Sequence, residues 1–90
     1  MDSNKIQTMV NEVFEESFEI AKEDLLAEKG IFEDLGLDSL DIVDLVVALQ
    51  KKFGVKIRDD NRVREIRKLG DIYKFIEALY AEGSFAIEEN

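Results

Sequence analysis

One segment, which has both a start and a stop signal for an α-helix, constrains the fold most. Asp38 is a preferred helix-capping type, Asp41 follows three residues later as in a capping box, and Gly54 suits the left-handed position that often ends a helix. Between these signals, apolar residues recur at three- and four-residue spacing on one core-facing side: Ile42, Leu45, Val46, Leu49 and Phe53. The sequence therefore predicts a helix from Ser39 to Phe53.

Helical patterns also occur on both sides of this segment. Apolar spacing predicts a first helix over residues 6–21, capped by Asp2 or Ser3, and a last helix over residues 71–81. Residues 62–67 predict one short helical turn between them. No stretch of useful length alternates as a strand does. We therefore expect an all-α fold, a four-helix bundle with three major helices, a short third helix and a long loop between the first two.

That loop, residues 22–37, lacks sustained periodicity and contains Gly30 and Gly36. Its apolar residues predict that it packs on the bundle: Leu25, Leu26, Ile31, Phe32 and Leu35. A chain of 90 residues forms one domain, and we expect a folded core over about residues 5–81 with a flexible tail at 82–90.

Composition argues against several classes of function. The chain has no Cys and no His, which removes disulfides, thiolate metal sites and the usual catalytic base and nucleophile, so we expect neither an enzyme nor a metal centre. A net charge of −9 argues against nucleic-acid binding. Because no signal peptide or bilayer-spanning run is visible, we expect a cytoplasmic monomer without membrane contact.

The predicted second helix has more apolar surface than a small bundle buries. Leu40, Val43 and Val47 extend its apolar arc towards Asp41 and Asp44. One interpretation is that the long loop covers this arc. The other is an exposed apolar patch, edged by acidic residues, that docks a partner protein.

Ser39 lies beside this arc, in the first turn of the same helix. A helix N-terminus offers free backbone N–H groups and a partial positive charge, which would favour a phosphodiester attached there. Taken alone, however, an Asp-Ser pair at a helix start is more often plain capping.

Together these features resemble the acyl carrier protein family. The similarity lies in Glu33-Asp34-Leu35-Gly36-Leu37-Asp38-Ser39-Leu40-Asp41, in Val43–Leu49, in Phe53-Gly54-Val55, in Ile57 and in Leu69-Gly70-Asp71-Ile72, and it spans about residues 5–80. The resemblance implies the four-helix carrier fold and a 4′-phosphopantetheine arm, which a carrier-protein synthase transfers from coenzyme A to Ser39. Acyl groups would be carried as thioesters in fatty acid or related lipid or polyketide biosynthesis, with Ser39 as a tether and not a catalyst.

The resemblance also implies two sets of contact residues. The synthase and the acyl-loading, condensing and other acyl-processing enzymes would meet Asp38, Leu40, Asp41, Val43, Asp44 and Val47. An acyl chain would be sheltered between the helices by Val46, Leu49, Ile57, Ile66 and Ile72. Ordinary core packing of these five residues is equally compatible with the sequence.

One stretch departs from the family pattern. Residues 51–68 carry 8 Lys/Arg against 3 Asp/Glu, where bacterial fatty-acid carriers are acidic, whereas residues 1–38 carry 3 Lys/Arg against 11 Asp/Glu. Arg58 stands where the family usually has Pro, and residues 59–62 are about one residue longer than usual. Either the basic stretch pairs with the acidic N-terminal part, or the chain is a dedicated carrier for partners with a mixed or acidic docking face.

Other functions fit parts of the pattern. An aminoacyl or peptidyl carrier would use the same serine and arm, and an unmodified helical adaptor would use the apolar patch alone. Asp34, Asp38 and Asp41 lie close in sequence, and carboxylates suit divalent cations. Their spacing does not match an EF-hand loop, so we interpret them as solvated acidic surface.

Overall fold

Four α-helices and one turn of 3-10 helix make up the part of the protein that the computed structural model describes, residues 2–57 and 61–83. The helices are α1 (Ser3–Phe18), α2 (Ser39–Phe53), α3 (Asn61–Arg64) and α4 (Leu69–Ala81), and the 3-10 turn is Lys22–Asp24. The described residues form no strand, only an isolated bridge between Gly30 and Lys68. This confirms the all-α bundle with a short third helix. The expectations about Arg58 and about the tail after Gly83 fall outside the described residues.

The first helix begins and ends three residues earlier than predicted. Asp2 is the cap, and its carboxylate accepts the backbone N–H of Lys5 at 2.8 Å, so the helix starts before its first apolar residue. At the other end, Glu19 adopts the left-handed conformation (φ 55°), and its N–H donates to the carbonyl of Phe14. Glutamate is not a usual signal for this conformation, which is why periodicity alone places the end too late.

The other helices agree more closely with expectation. α2 has the predicted bounds, with Gly54 in the left-handed conformation (φ 63°) at its end. α4 ends where predicted but starts at Leu69, two residues early, and α3 is shorter than the predicted turn. None of the helices within the described ranges combines the length and the apolar character needed to cross a membrane.

The core lies between α1, α2 and α4. Its most deeply buried side chains are Ile6, Val10, Phe14, Ile31, Leu45, Leu49, Phe53, Leu69, Ile72 and Ile76. Tyr73 of α4 is also buried, and its hydroxyl donates to Oδ1 of Asn11 in α1 at 2.6 Å. Burial raises the pKa of Tyr73, although the hydrogen bond to Asn11 opposes the rise. Because this bond joins two helices distant in sequence, it helps to set how α1 lies against α4.

The long loop packs on the bundle by only some of its apolar residues. Leu25 and Ile31 are buried, whereas Leu26 and Phe32 are exposed, contrary to expectation, and Leu35 is half-buried. Of these five apolar residues, Leu25 and Ile31 therefore anchor the loop in the core.

Backbone hydrogen bonds tie this loop to the start of α4. The N–H of Ile31 donates to the carbonyl of Arg67 at 2.8 Å. In the other direction, the N–H groups of Leu69 and Gly70 donate to the carbonyls of Lys29 and Ala27 at 3.0 and 2.9 Å. We call these three bonds the backbone clasp. A Cβ at position 70 would lie 3.1 Å from the carbonyl oxygen of Ala27, so glycine permits the close approach.

An ion pair links the basic stretch to the acidic N-terminal part. Nζ of Lys52 lies 3.0 Å from Oε1 of Glu12, and both side chains are partly exposed. A pair of this kind contributes about 0–1 kcal/mol to stability. It agrees with pairing between the two charged parts of the chain without accounting for the whole basic stretch.

Candidate functional site

Ser39 occupies the first position of α2, and the residues around it form the predicted capping box. Oδ1 of Asp38 accepts the N–H groups of Leu40 and Asp41 at 2.9 and 3.0 Å, and Oδ2 of Asp41 accepts the N–H of Asp38 at 3.1 Å. Ser39 itself is exposed, and its hydroxyl has no hydrogen bond to any described residue. Capping is therefore performed by Asp38, which leaves the serine hydroxyl available for another role.

The capping box changes the electrostatics expected at this helix start. Of the four backbone N–H groups that a helix leaves unpaired at its N-terminus, those of Asp38, Leu40 and Asp41 donate to carboxylates. Only the N–H of Ser39 has no acceptor among the described residues. The expectation of several free N–H groups is therefore wrong, because the acidic cap occupies three of the four. The favourable effect of the partial positive charge on a phosphodiester stays a prediction.

The extra apolar arc of α2 faces solvent. The exposed fractions of Leu40, Val43 and Val47 are 77%, 62% and 43%, so the interpretation in which the long loop covers them is wrong. Asp44 is exposed beside them and has no hydrogen bond or ion pair with a described residue. We call Leu40, Val43, Asp44 and Val47 the docking patch. Asp38 and Asp41 edge it, but their carboxylates are committed to the cap.

A groove opens beside Ser39, between α2, the long loop and the α3 region. Its volume is about 190 Å³, and its lining is Phe32, Ser39, Ile42, Val63, Arg64, Ile66 and Arg67. We call it the serine groove. Its floor is apolar, and two arginines stand among its lining residues. No sequence pattern brings these residues together, because they come from three separate segments.

Only Ile66 of the five predicted acyl-sheltering residues lines the serine groove. Leu49 and Ile72 are fully buried, Ile57 is buried, and Val46 is half-buried against the core. Leu49, Ile57 and Ile72 therefore belong to the buried core, and Val46 packs at its edge. Their side chains would have to move before an acyl chain could lie among them.

The acidic residues near the site are engaged in local hydrogen bonds. Oδ2 of Asp34 accepts the N–H of Gly30 at 2.7 Å, and Asp38 and Asp41 form the capping box. Over residues 2–57 and 61–83, no three His, Cys, Asp or Glu side chains are grouped in a way that could hold a metal ion.

Comparison with known proteins places this chain in a family. The family model described as "Phosphopantetheine attachment site" matches residues 4–76. An acyl carrier protein of Sulfurovum sp. (strain NBC37-1) is 43% identical over 68 residues, 76% of this chain and 89% of that protein. Acyl carrier proteins of Wolinella succinogenes and Campylobacter hominis are 40% and 39% identical over 76% and 78% of this chain, and over 88% and 87% of their own lengths. The chain therefore belongs to the acyl carrier protein family, whose members are carriers rather than enzymes and bear a phosphopantetheine group.

Proposed function

We propose that Ser39 is the residue to which 4′-phosphopantetheine is attached. The observation that supports this most is an exposed hydroxyl, without a hydrogen-bond partner among the described residues, at the first position of α2 beside both the docking patch and the serine groove. The family match contains one other serine, Ser17. Ser17 lies in the last turn of α1, where the helix dipole disfavours an attached anion.

The chemistry of the carrier then divides between the arm and the chain. The thiol of phosphopantetheine holds an acyl group as a thioester, a role that no residue of this Cys-free chain could fill. Ser39 supplies the phosphodiester oxygen and keeps the arm attached. No general base is required of the carrier, because the synthase and the acyl-processing enzymes bring their own catalytic groups.

The docking patch is the surface that we propose for these enzymes. Leu40, Val43 and Val47 offer apolar contact area, and Asp44 offers a carboxylate free to attract a basic partner face. Asp38 and Asp41 add negative charge, but moving either carboxylate towards a partner would open the cap of α2. We therefore assign the largest electrostatic contribution of the three acids to Asp44.

We propose that the acyl chain enters the bundle through the serine groove. Ile66 lines the groove and is also part of the core, so its side chain stands between the open cavity and the interior. Beyond it, Leu49, Ile57 and Ile72 provide apolar surroundings, with Val46 at the edge. A groove of this size holds only part of a long acyl chain, and longer cargo would separate these side chains.

Fatty acid or related lipid or polyketide biosynthesis in the cytoplasm is the setting that we propose. The ion pair between Lys52 and Glu12 favours self-pairing of the charged segments. The exposed side chains of Arg64, Arg67 and Lys68 favour a dedicated carrier whose partner has a mixed or acidic docking face. Reversing these three charges is expected to slow acyl transfer with the cognate enzymes. If transfer were unchanged and stability lower, the dedicated carrier would be wrong and self-pairing would remain as the explanation of the basic stretch.

Intact-mass measurement tests the attachment site. After incubation with a phosphopantetheinyl synthase and coenzyme A, the wild-type chain and Ser17→Ala are expected to gain one phosphopantetheine group, and Ser39→Ala none. A gain in Ser39→Ala, or none in the wild type with synthases active on other carriers, would contradict the proposal. The group that is then loaded onto the thiol of the arm, an acyl or an aminoacyl group, separates an acyl carrier from an aminoacyl or peptidyl carrier. A chain that never receives the arm would be the unmodified adaptor.

A further inference from the structure

The attached phosphodiester meets an electrostatic problem at Ser39. This inference rests on the proposed attachment of phosphopantetheine to that residue. The nearest chain neighbours include Asp38 and Asp41, whose carboxylates repel a phosphate and also occupy three of the four N–H groups of the helix start. Without further positive charge, the negative diester would gain little from the N-terminus of α2.

Two arginines supply positive charge in the same cavity. Arg64 and Arg67 line the serine groove together with Ser39. Nη1 of Arg67 donates to the carbonyls of Arg64 and Ile66 at 2.7 and 3.0 Å, which fixes the guanidinium against the segment that follows α3. The N–H groups on its Nε and Nη2, and the guanidinium of Arg64, have no acceptor among the described residues.

No described acid neutralises these two guanidinium groups. Asp71 is near Arg67 in sequence, but its carboxylate accepts the backbone N–H groups of Arg67 and Lys68, both at 3.0 Å, rather than the side chain. Among the described residues, the remaining donors of these two arginines therefore have no acceptor, and the hydrogen bonds of Nη1 hold the Arg67 guanidinium in place. A guanidinium binds phosphate oxygens through two parallel N–H donors, so it suits a diester better than a lysine ammonium does.

We propose that Arg64 and Arg67 form an internal clamp for the phosphodiester of the attached arm. The clamp replaces the backbone donors that the capping box consumes, and it holds the first atoms of the arm over the serine groove. From there, the apolar floor formed by Phe32, Ile42 and Val63 continues the path of the arm towards Ile66. Arg64 and Arg67 are thus positioning residues for the carrier's own prosthetic group.

³¹P NMR of the phosphopantetheinylated protein tests the clamp directly. We would compare the wild type, Arg64→Gln, the double variant Arg64→Gln/Arg67→Gln, and the control Lys51→Gln, which removes an exposed positive charge at the other end of α2. The double variant is expected to move the ³¹P resonance most of the way to that of a free phosphopantetheine diester, and Arg64→Gln part of the way. Lys51→Gln should leave it unchanged. High salt should move the wild-type resonance in the same direction, because it screens exposed charges.

Two further measurements keep the outcomes distinct. Arg67 also bonds to two backbone carbonyls, so circular dichroism of the unmodified variants is needed to show that they fold, and Arg64→Gln, which loses no described hydrogen bond, serves if the double variant does not. Mass spectrometry first confirms the modification at Ser39. If the modified wild type and both arginine variants share one ³¹P shift, the clamp is wrong while the proposed function stands; if Ser39 is never modified, both fail.

Discussion

The N-termini of α2 and α4 solve the same problem in different ways. At α2, Asp38 and Asp41 satisfy three of the four free N–H groups from within the helix start itself. At α4, the capping position holds Lys68, whose side chain can only donate hydrogen bonds. The N–H groups of Leu69 and Gly70 instead donate to carbonyls of the long loop.

The two kinds of capping leave different surroundings at the two helix starts. A locally capped start needs no neighbouring chain, so the first turn of α2 remains open on the side that bears Ser39 and the docking patch. At α4, the loop carbonyls occupy the N–H groups of Leu69 and Gly70, and these bonds fix the loop in place. The start of α2 therefore stays available at the surface of the carrier, and the start of α4 helps to hold the fold together.

Removing apolar packing beneath the backbone clasp should have the largest effect. Ile31 is fully buried and its N–H belongs to the clasp, so Ile31→Ala is expected to lower the free energy of unfolding by about 2–5 kcal/mol, as buried Ile-to-Ala changes do. Urea unfolding followed by circular dichroism measures this. The exposed neighbour Phe32 gives the matched variant Phe32→Ala, and equal losses in the two would contradict the assignment.

Breaking the local cap should cost less. Asp38→Ala removes the acceptor of two N–H groups and is expected to lower the free energy of unfolding by about 1 kcal/mol. Asp44→Ala, on the same helix, should change stability by less than about 0.5 kcal/mol. In a partner-binding assay we expect Asp44→Ala to weaken binding without loss of stability. If Asp44→Ala proved the more destabilising of the two, the division between cap and docking patch would be wrong.

The charge of Asp71 should appear as a pH dependence. Burial raises the pKa of this carboxyl, but the N–H groups of Arg67 and Lys68 and the charges of Lys74 and Lys68 outweigh it, so the pKa lies below its ordinary value of 3.8. Asp71 therefore stabilises the fold above pH 3.8, and this contribution is lost as the pH falls through the lowered pKa. The stability difference between wild type and Asp71→Asn should shrink on acidification below that value. A difference independent of pH would contradict this role.

The smallest effect on stability is expected from placing a favoured capping residue at the start of α4, where no N–H group lacks an acceptor. All four N–H groups at the start of α4, from Lys68 to Asp71, already have acceptors. Lys68→Ser, which would introduce a favoured capping type, should therefore change the free energy of unfolding by less than about 0.5 kcal/mol. A gain near 1 kcal/mol in chemical denaturation would mean that the loop carbonyls do not serve as the cap.

The same contrast explains which parts of the fold were predictable from sequence. The bounds of α2 were predicted because the signals lie in the residues themselves. The side chains of Asp38 and Asp41 mark the start, and Gly54, which has no side chain, marks the end. The early start of α4 is not predictable from the sequence, because the N–H groups of Leu69 and Gly70 donate to backbone carbonyls about forty residues away, and any residue has a carbonyl.

The site divides in a similar way. The exposure of Leu40, Val43 and Val47 was one of two interpretations of an apolar arc too wide for a small bundle, and the structure decides for it. The serine groove was not predicted, because the arginines that line it approach Ser39 only after the chain has turned through α3. Family resemblance indicated an acyl shelter, and the assignment of Val46, Leu49, Ile57 and Ile72 to it stays a prediction.

The backbone clasp also bears on how such a carrier acquires new partners. Its bonds use the carbonyls of Ala27, Lys29 and Arg67, and none of them depends on which side chains stand at these positions. The charge at positions 27 and 29 can consequently change by substitution while the loop keeps its path. Evolution or protein design can therefore change which partners this face attracts, one residue at a time, while the fold is retained.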